Sequence, residues 1–251
     1  MRSSLPILVL GTSLPLFTAC SSKEPGTVAS DASVVDGSDT PRDAGTSVSD
    51  AAVEAAAPGY MPAGYTQEPY LSVAPERKFT AAEQVLDAAR DYIAVLDTDV
   101  GVIVLDLFES DTPVTVNSFV FLARHHFYEQ IAFHRVIEGF MAQTGDPKSV
   151  TGKNSTWGNG NPGYFFGTEF KPNLNFDGPG ILGMARTNDP NTNGSQFFIT
   201  FVAYPSLNQQ YTVWGKVTEG MDNVLKIARG EPPATETATR IREARIGSKA
   251  K

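Results

Sequence analysis

Residues 132–147 read AFHRVIEGFMAQTGDP and set an arginine, Arg135, inside an apolar alternation beside His134. A guanidinium is always charged and carries five forked donors, so it can stabilise electron-rich groups but cannot shuttle a proton. Half-burying it is costly unless something pairs with it. The one carboxylate close in sequence is Glu138, in an apparent turn. The other reactive residue types support less. His134 reads as a structural histidine. His125 and His126 are neighbours on a predicted helix, where adjacent side chains point apart, and no third ligand has metal-site spacing. The glycines of NGNPG have no following Lys-Ser/Thr, so they form no phosphate cradle. A hydrolase would need a Ser or Cys activated by His, and no such signature exists. Cys20 is the only cysteine, which excludes an intrachain disulfide.

The elements that must position Arg135 follow from periodicity. YIAVLDTD and VGVIVLDLF alternate, are rich in β-branched residues, and predict a hairpin turning around Asp97–Gly101. DTPVTVNSFVFLARHHF predicts a helix with Thr112 as N-cap and Pro113 at its first position. Its apolar face is Val116, Phe119, Val120 and Ala123. Phe133, Arg135 and Ile137 share one face of a strand, and Glu138-Gly139 make a turn. A second strand over Phe140–Gln143 puts Met141 and Gln143 on one side. Residues 147–168 form a long loop. GPGILGMAR, GSQFFITF and YTVWGKV are three more strands, EGMDNVLKIARG is a second helix ended by Gly230, and RIREARI is a last strand. Many short strands and two helices predict a mainly β chain, a closed antiparallel barrel with helical caps.

The rest of the chain is organised differently. Residues 1–20 have one positive charge at Arg2, a short apolar run from Leu5 to Phe17 and small residues before Cys20. The run is too short to span a bilayer, which takes about 20 residues, and reads as a secretory signal. LFTAC resembles a bacterial lipobox, which implies removal of 1–19 and acylation of Cys20; Phe17 replaces the usual leucine. The mature protein is then expected in the cell envelope. Its lipid would hold it on the outer side of the cytoplasmic membrane or in the outer membrane. Residues 20–58 contain no aromatic, Leu or Ile, and 21–58 carry seven acidic and two basic residues, a net of −5 out of −8. Such a segment cannot offset the entropy of folding and reads as a flexible tether about 30–40 Å across. Residues 59–90 read as an extended arm, with a capping-box spacing at Thr80 and Glu83 that predicts a short helix. Residues 91–251 form one domain. No basic stripe suggests nucleic acid, and the domain is expected to be monomeric.

FHRVIEGFMAQTGDP, GPGILGMA, NTNGSQFFIT and VWGKVTEGM, in this order, resemble the cyclophilin family of peptidyl-prolyl cis-trans isomerases over about residues 92–247. The resemblance implies an eight-stranded antiparallel barrel capped by two helices, proline-containing polypeptides as substrates, and neither cofactor nor metal. It places catalysis on Arg135, with Gln143 holding that arginine or the substrate backbone. It places the proline pocket on Phe140, Met141, Phe198 and Leu207, and a polar substrate contact on Gln196. Backbone contacts fall on Ala185, Arg186 and Thr187, and a groove-lining glycine on Gly158. Two positions depart from the pattern: Ser206 stands where many members have tryptophan, and Tyr211 where many have histidine. Tyr211 keeps an aromatic wall. Ser206 removes an indole donor and implies weak binding of cyclosporin-like ligands. A cyclophilin-like binding or chaperone module with little turnover is the alternative reading.

Overall fold

The computed structural model describes residues 59–151, 154–233 and 237–251. The signal, Cys20 and the tether expected over 1–58 lie outside these residues.

Among the described residues there are nine strands. The arm gives β1 (Thr66–Gln67), and the first long hairpin is β2 (Arg90–Thr98) and β3 (Gly101–Leu107). Helix α1 (Pro113–Arg124) leads to a second hairpin, β4 (Arg135–Ile137) and β5 (Met141–Thr144). Then come β6 (Ile181–Met184), β7 (Phe197–Thr200), β8 (Val213–Glu219), helix α2 (Met221–Lys226) and β9 (Ile241–Ala250). They pair in the order β1-β9-β2-β3-β8-β6-β7-β5-β4. Every pairing is antiparallel.

The sheet differs from the expected eight-stranded closed barrel in two ways. The arm adds a strand, with Thr66 opposite Ser248 and Gln67 opposite Gly247. The ladders also end at β1 and β4 without a ladder between the ends. Residues 130–133 and 239–241 are linked by an isolated bridge, Ala132 to Arg240, and by bonds such as Phe133 N–H to the Thr239 carbonyl at 2.8 Å.

Strands β2 and β3 are buried on both faces, which is why they read as nearly continuous apolar runs rather than clean alternations. Ala94, Leu96, Ile103 and Leu105 enter the main core with α1 and the aromatic group Phe119, Tyr128, Phe197 and Trp214. Ile93, Val95, Val102 and Val104 face the other way and are covered by Tyr60, Met61 and Tyr65 of the arm. The arm sits so close to β9 that a Cβ on Gly247 would lie 2.5 Å from the Met61 sulfur. Tyr60 donates to Glu219 at 2.7 Å, and that carboxylate helps push the phenol up to about 12, so it stays a donor at neutral pH.

Three local expectations are corrected. Thr112 stands at the N-cap position of α1, as expected, but its side chain makes no capping bond, because its hydroxyl donates to the Phe108 carbonyl at 3.2 Å. The Glu169 carboxylate, just past the long loop, accepts the N–H groups of Val114 and Thr115 at 3.1 and 2.8 Å. An acid at a helix N-terminus both satisfies these donors and complements the dipole. Residues 80–89 form no helix. A short isolated helix is marginal, and here Asn117 of α1 accepts from Val85 and Leu86 N–H while donating to the Glu83 carbonyl. This extended path lays Phe79, Val85 and Leu86 against the core. Finally, α2 ends at Lys226 rather than running to Gly230. Gly230 instead exchanges two backbone bonds with Val136, at 2.7 and 3.0 Å.

Candidate active site

The β4–β5 hairpin aligns Arg135 with Gln143, Val136 with Ala142 and Ile137 with Met141. Val136 and Ala142 point into the core. By the two-residue period of a strand, Arg135, Ile137, Met141 and Gln143 then face the other way. Arg135 with Ile137, and Met141 with Gln143, share a side as expected, but Phe133, expected on the Arg135 face, lies in the main core with Val136, because it precedes β4 and the strand alternation does not reach it. Gly139 makes the turn with φ +66°, a conformation that favours glycine. Strand β7 extends the face, with Phe198 opposite both Gln143 and Gly183. The tip of the Phe198 ring reaches Gly183, where a Cβ would stand 2.2 Å from its Cζ. Glycine at 183 is thus what makes room for the ring.

Beside Arg135 this builds an apolar cluster. Met141, Phe176, Phe198 and Val213 are buried, with Phe140, Leu207, Tyr211 and Ala185 packed at its partly open side. Tyr211 meets Phe198 edge-on at 5.7 Å, so it does form an aromatic wall. The Phe140 ring meets Tyr204 at a tilt, with centroids 4.4 Å apart. The pocket residues expected from sequence therefore come together. Phe176, stacked on Phe198 at 5.6 Å, and Val213 were missed. Phe176 sits in an irregular segment where no periodicity marks it as core. Ser206 is exposed on the turn Pro205–Leu207, offering only its carbonyl, to Gln210.

A second, polar cleft of about 230 Å³ adjoins this cluster through Gln143. Its walls include Gln143, Gly158, Ala185, Arg186, Thr187 and Gln196. Gln143 donates to Gln196 at 3.0 Å, and Gln196 donates to the carbonyls of Gly158 and Gly160 at 3.0 and 2.8 Å. This relay ties the long loop to the sheet. Asp146 holds the same loop from behind, accepting from Lys148 N–H at 2.7 Å and from Gly158 N–H. Gly160 passes so near that a Cβ would overlap Asp146. Arg186 does not project into the cleft as a free cation. It donates to the Gln210 and Thr187 carbonyls and lies over the Tyr211 ring at 5.0 Å. His134 is buried behind the cleft, 3.8 Å from where a Gly158 Cβ would be, and burial holds its pKa below 6.5.

Arg135 meets a partner that its sequence neighbours do not suggest. It has a carboxylate partner, because its Nε donates to Glu231 at 2.7 Å. Glu138 instead takes Arg229 at 2.6 Å, and that guanidinium lowers the Glu138 pKa. Gln143, committed to Gln196, does not hold Arg135. Glu231 lies 96 residues away in sequence, so no local pattern exposes the pairing. Among the described residues no group of three or more His, Cys, Asp or Glu could hold a metal ion.

An ion-paired arginine beside an apolar cluster and a polar cleft, on an antiparallel sheet of nine strands with two helices among the described residues, defines a class. The family described as "Cyclophilin type peptidyl-prolyl cis-trans isomerase/CLD" matches residues 93–246, and the chain belongs to it. The chain is 46% identical over 136 residues to chicken (Gallus gallus) peptidyl-prolyl cis-trans isomerase-like 3, covering 53% of this chain and 80% of that one. It is 45% identical to Arabidopsis thaliana peptidyl-prolyl cis-trans isomerase CYP71 over 54% of its length, but spans only 21% of that relative. A crystal structure of a Cryptosporidium parvum cyclophilin-type isomerase superposes with a TM-score of 0.56 at 31% identity, covering 62% of this chain and 97% of that one. The same Cryptosporidium protein was also solved in the presence of the dipeptide Ala-Pro, with a TM-score of 0.55 and 31% identity over 61% and 96% of the two chains.

Proposed function

We propose that this isomerase turns the X–Pro bonds of exported polypeptides, with Arg135 stabilising the twisted amide. The barrier to that rotation is about 18–20 kcal/mol because resonance keeps the C–N bond planar. No bond breaks, so no nucleophile, base or metal is required. Rate comes from favouring the twisted state over both planar ones. In that state the prolyl nitrogen regains a lone pair, which a guanidinium donor can bind. The apolar group of Phe140, Met141, Phe198 and Leu207 would clamp the ring and strip water from the amide, which strengthens the arginine's field. Gln143, Gln196 and the backbone of 185–187 would hold the flanking peptide. The observation that carries this reading is the register that sets Arg135 beside Gln143, and Gln143 beside Phe198.

Replacing Arg135 with Ala tests it in a proline-peptide exchange assay. Near-complete loss of acceleration is expected; a variant as active as the parent would sink the assignment. Peptide binding without accelerated exchange in the parent would favour the chaperone reading. From Ser206, cyclosporin-type ligands are expected to inhibit weakly, and nanomolar inhibition would contradict this.

In the same reading the ends of the sheet act as a closed barrel, supported by the backbone bonds between 130–133 and 239–241. The protein works as a monomer on the outer side of the cytoplasmic membrane or at the outer membrane, held by lipid on Cys20 and spaced by the acidic tether. The signal-like start and lone Cys20 support this. Mass spectrometry of the mature protein should find an acylated Cys20; an unmodified amino terminus at another residue rejects it.

A further inference from the structure

The segment after α2 is docked on β4 by a small device. Val136 and Gly230 exchange both backbone bonds, which sets the register. Counting outward from that antiparallel bridge, Glu231 must fall opposite Arg135, and their side chains meet at 2.7 Å. On the other side of the bridge the polarity reverses, with Arg229 donating to Glu138 at 2.6 Å. Arg229 is itself fixed, donating to the Leu225 and Ile227 carbonyls and lying over Phe201 at 4.6 Å. The carboxylate of Glu231 is thus delivered by backbone pairing.

Which atom it takes matters. A guanidinium is planar, so a partner on Nε–H fixes the plane; one Nη hydrogen lies parallel to Nε–H on that side, and the other Nη hydrogens are directed elsewhere. Among the described residues nothing else holds the Arg135 guanidinium, and the side chain is 39% exposed. A long side chain left free at such an edge would sample many rotamers. Gln143, the cross-strand neighbour suited to restraining it, is turned to Gln196. We propose that Glu231 is the positioning residue of Arg135, anchoring Nε so that the Nη donors are presented to the prolyl amide. This rests on the reading of Arg135 given above.

The test uses the whole chain and five variants. Exposed charge pairs contribute little, so Glu231→Ala should lower kcat about three- to fivefold with KM unchanged, and Glu231→Asp should recover most of it. Glu138→Gln, which breaks the other pair, should leave kcat at the parent value. A readout independent of turnover is the Arg135 Nε–H signal in nitrogen-resolved NMR, assigned by its loss in Arg135→Lys. It should be sharp in the parent and broadened by exchange in Glu231→Ala. The proposal is overturned if Glu231→Ala matches or exceeds the parent in kcat, if only KM moves, or if the Nε–H signal is unaltered. If Arg135→Ala turns over like the parent, the catalytic reading of Arg135 falls with any kinetic role for Glu231. The Nε–H signal then still decides whether Glu231 fixes the side chain.

Discussion

At the β1 end of the sheet, Tyr60, Met61 and Tyr65 close over Ile93, Val95, Val102 and Val104. At the β4 end, Arg135–Glu231 and Glu138–Arg229 stand partly exposed to water. Both ends meet the same problem, an edge strand with unpaired backbone groups. One end meets it with added strand and apolar cover, the other with a single bridge and charge. The energies differ accordingly. Burying an aliphatic side chain is worth about 1.5–3 kcal/mol, whereas an exposed ion pair is worth about 0–1. Stability therefore concentrates where the arm lies. The β4 edge, on which the fold depends little, is left free to carry charge next to an apolar pocket.

The widest gap between the two ends is expected for Arg135→Ala. Losing one preorganised donor to a transition state typically costs about 100–1000-fold in rate, while a surface substitution shifts stability by about 0.5 kcal/mol or less. Peptide exchange kinetics and thermal unfolding on one preparation would measure both, and a large loss of stability would break the contrast. The mirror experiment is Ile93→Ala under the arm. It should destabilise by about 2–5 kcal/mol in denaturant titrations, with kcat per folded molecule unchanged. Glu169→Ala should cost about 0.5–2 kcal/mol, since it removes the acceptor at the start of α1. Thr112→Ala should cost less, because the Thr112 side chain makes no capping bond. A larger loss from Thr112 would reverse that assignment.

The smallest effect is a pH dependence behind the cleft. Burial depresses the His134 pKa below its ordinary 6.5, with the Asp146 carboxylate opposing the shift only in part. The unfolded chain then binds the proton more readily than the native one. His134 thus costs no stability above pH 6.5 and destabilises progressively as pH falls from 6.5 towards its lowered native value. The separation between the unfolding midpoints of the parent and His134→Gln should be constant above pH 6.5 and should change across that window. Parallel profiles would remove His134 as the cause.

Legibility in the sequence followed the range of the interaction. The hairpin of β2 and β3 rests on two β-branched apolar runs around a turn, while the sharing of a side by Arg135 and Ile137, by Met141 and Gln143, and the core face of α1 rest on periods of 2 and 3.6, all of which local residues specify. Phe140, Met141, Phe198 and Leu207 came from motif resemblance, and the cluster they form agrees. What failed was capping and pairing across distance. Thr112 has the right residue type for a cap, yet Glu169, 54 residues beyond Thr115, reaches the Thr115 N–H. Residues 80–89 have a capping-box spacing, but the amide of Asn117 competes better for their backbone.

By its own patterning, then, the chain determines its strands, its long helix and the placing of a permanent cation on an apolar face. Alternation, charge and side-chain size act within a few residues and need no partner to be read. The partner of that cation was decided only in three dimensions. Gly230 leaves the α2 path to pair with Val136, and antiparallel register then sets Glu231 opposite Arg135. The physical reason is that a bridge between segments nearly a hundred residues apart depends on where the whole sheet brings them, and no local preference of either segment encodes it.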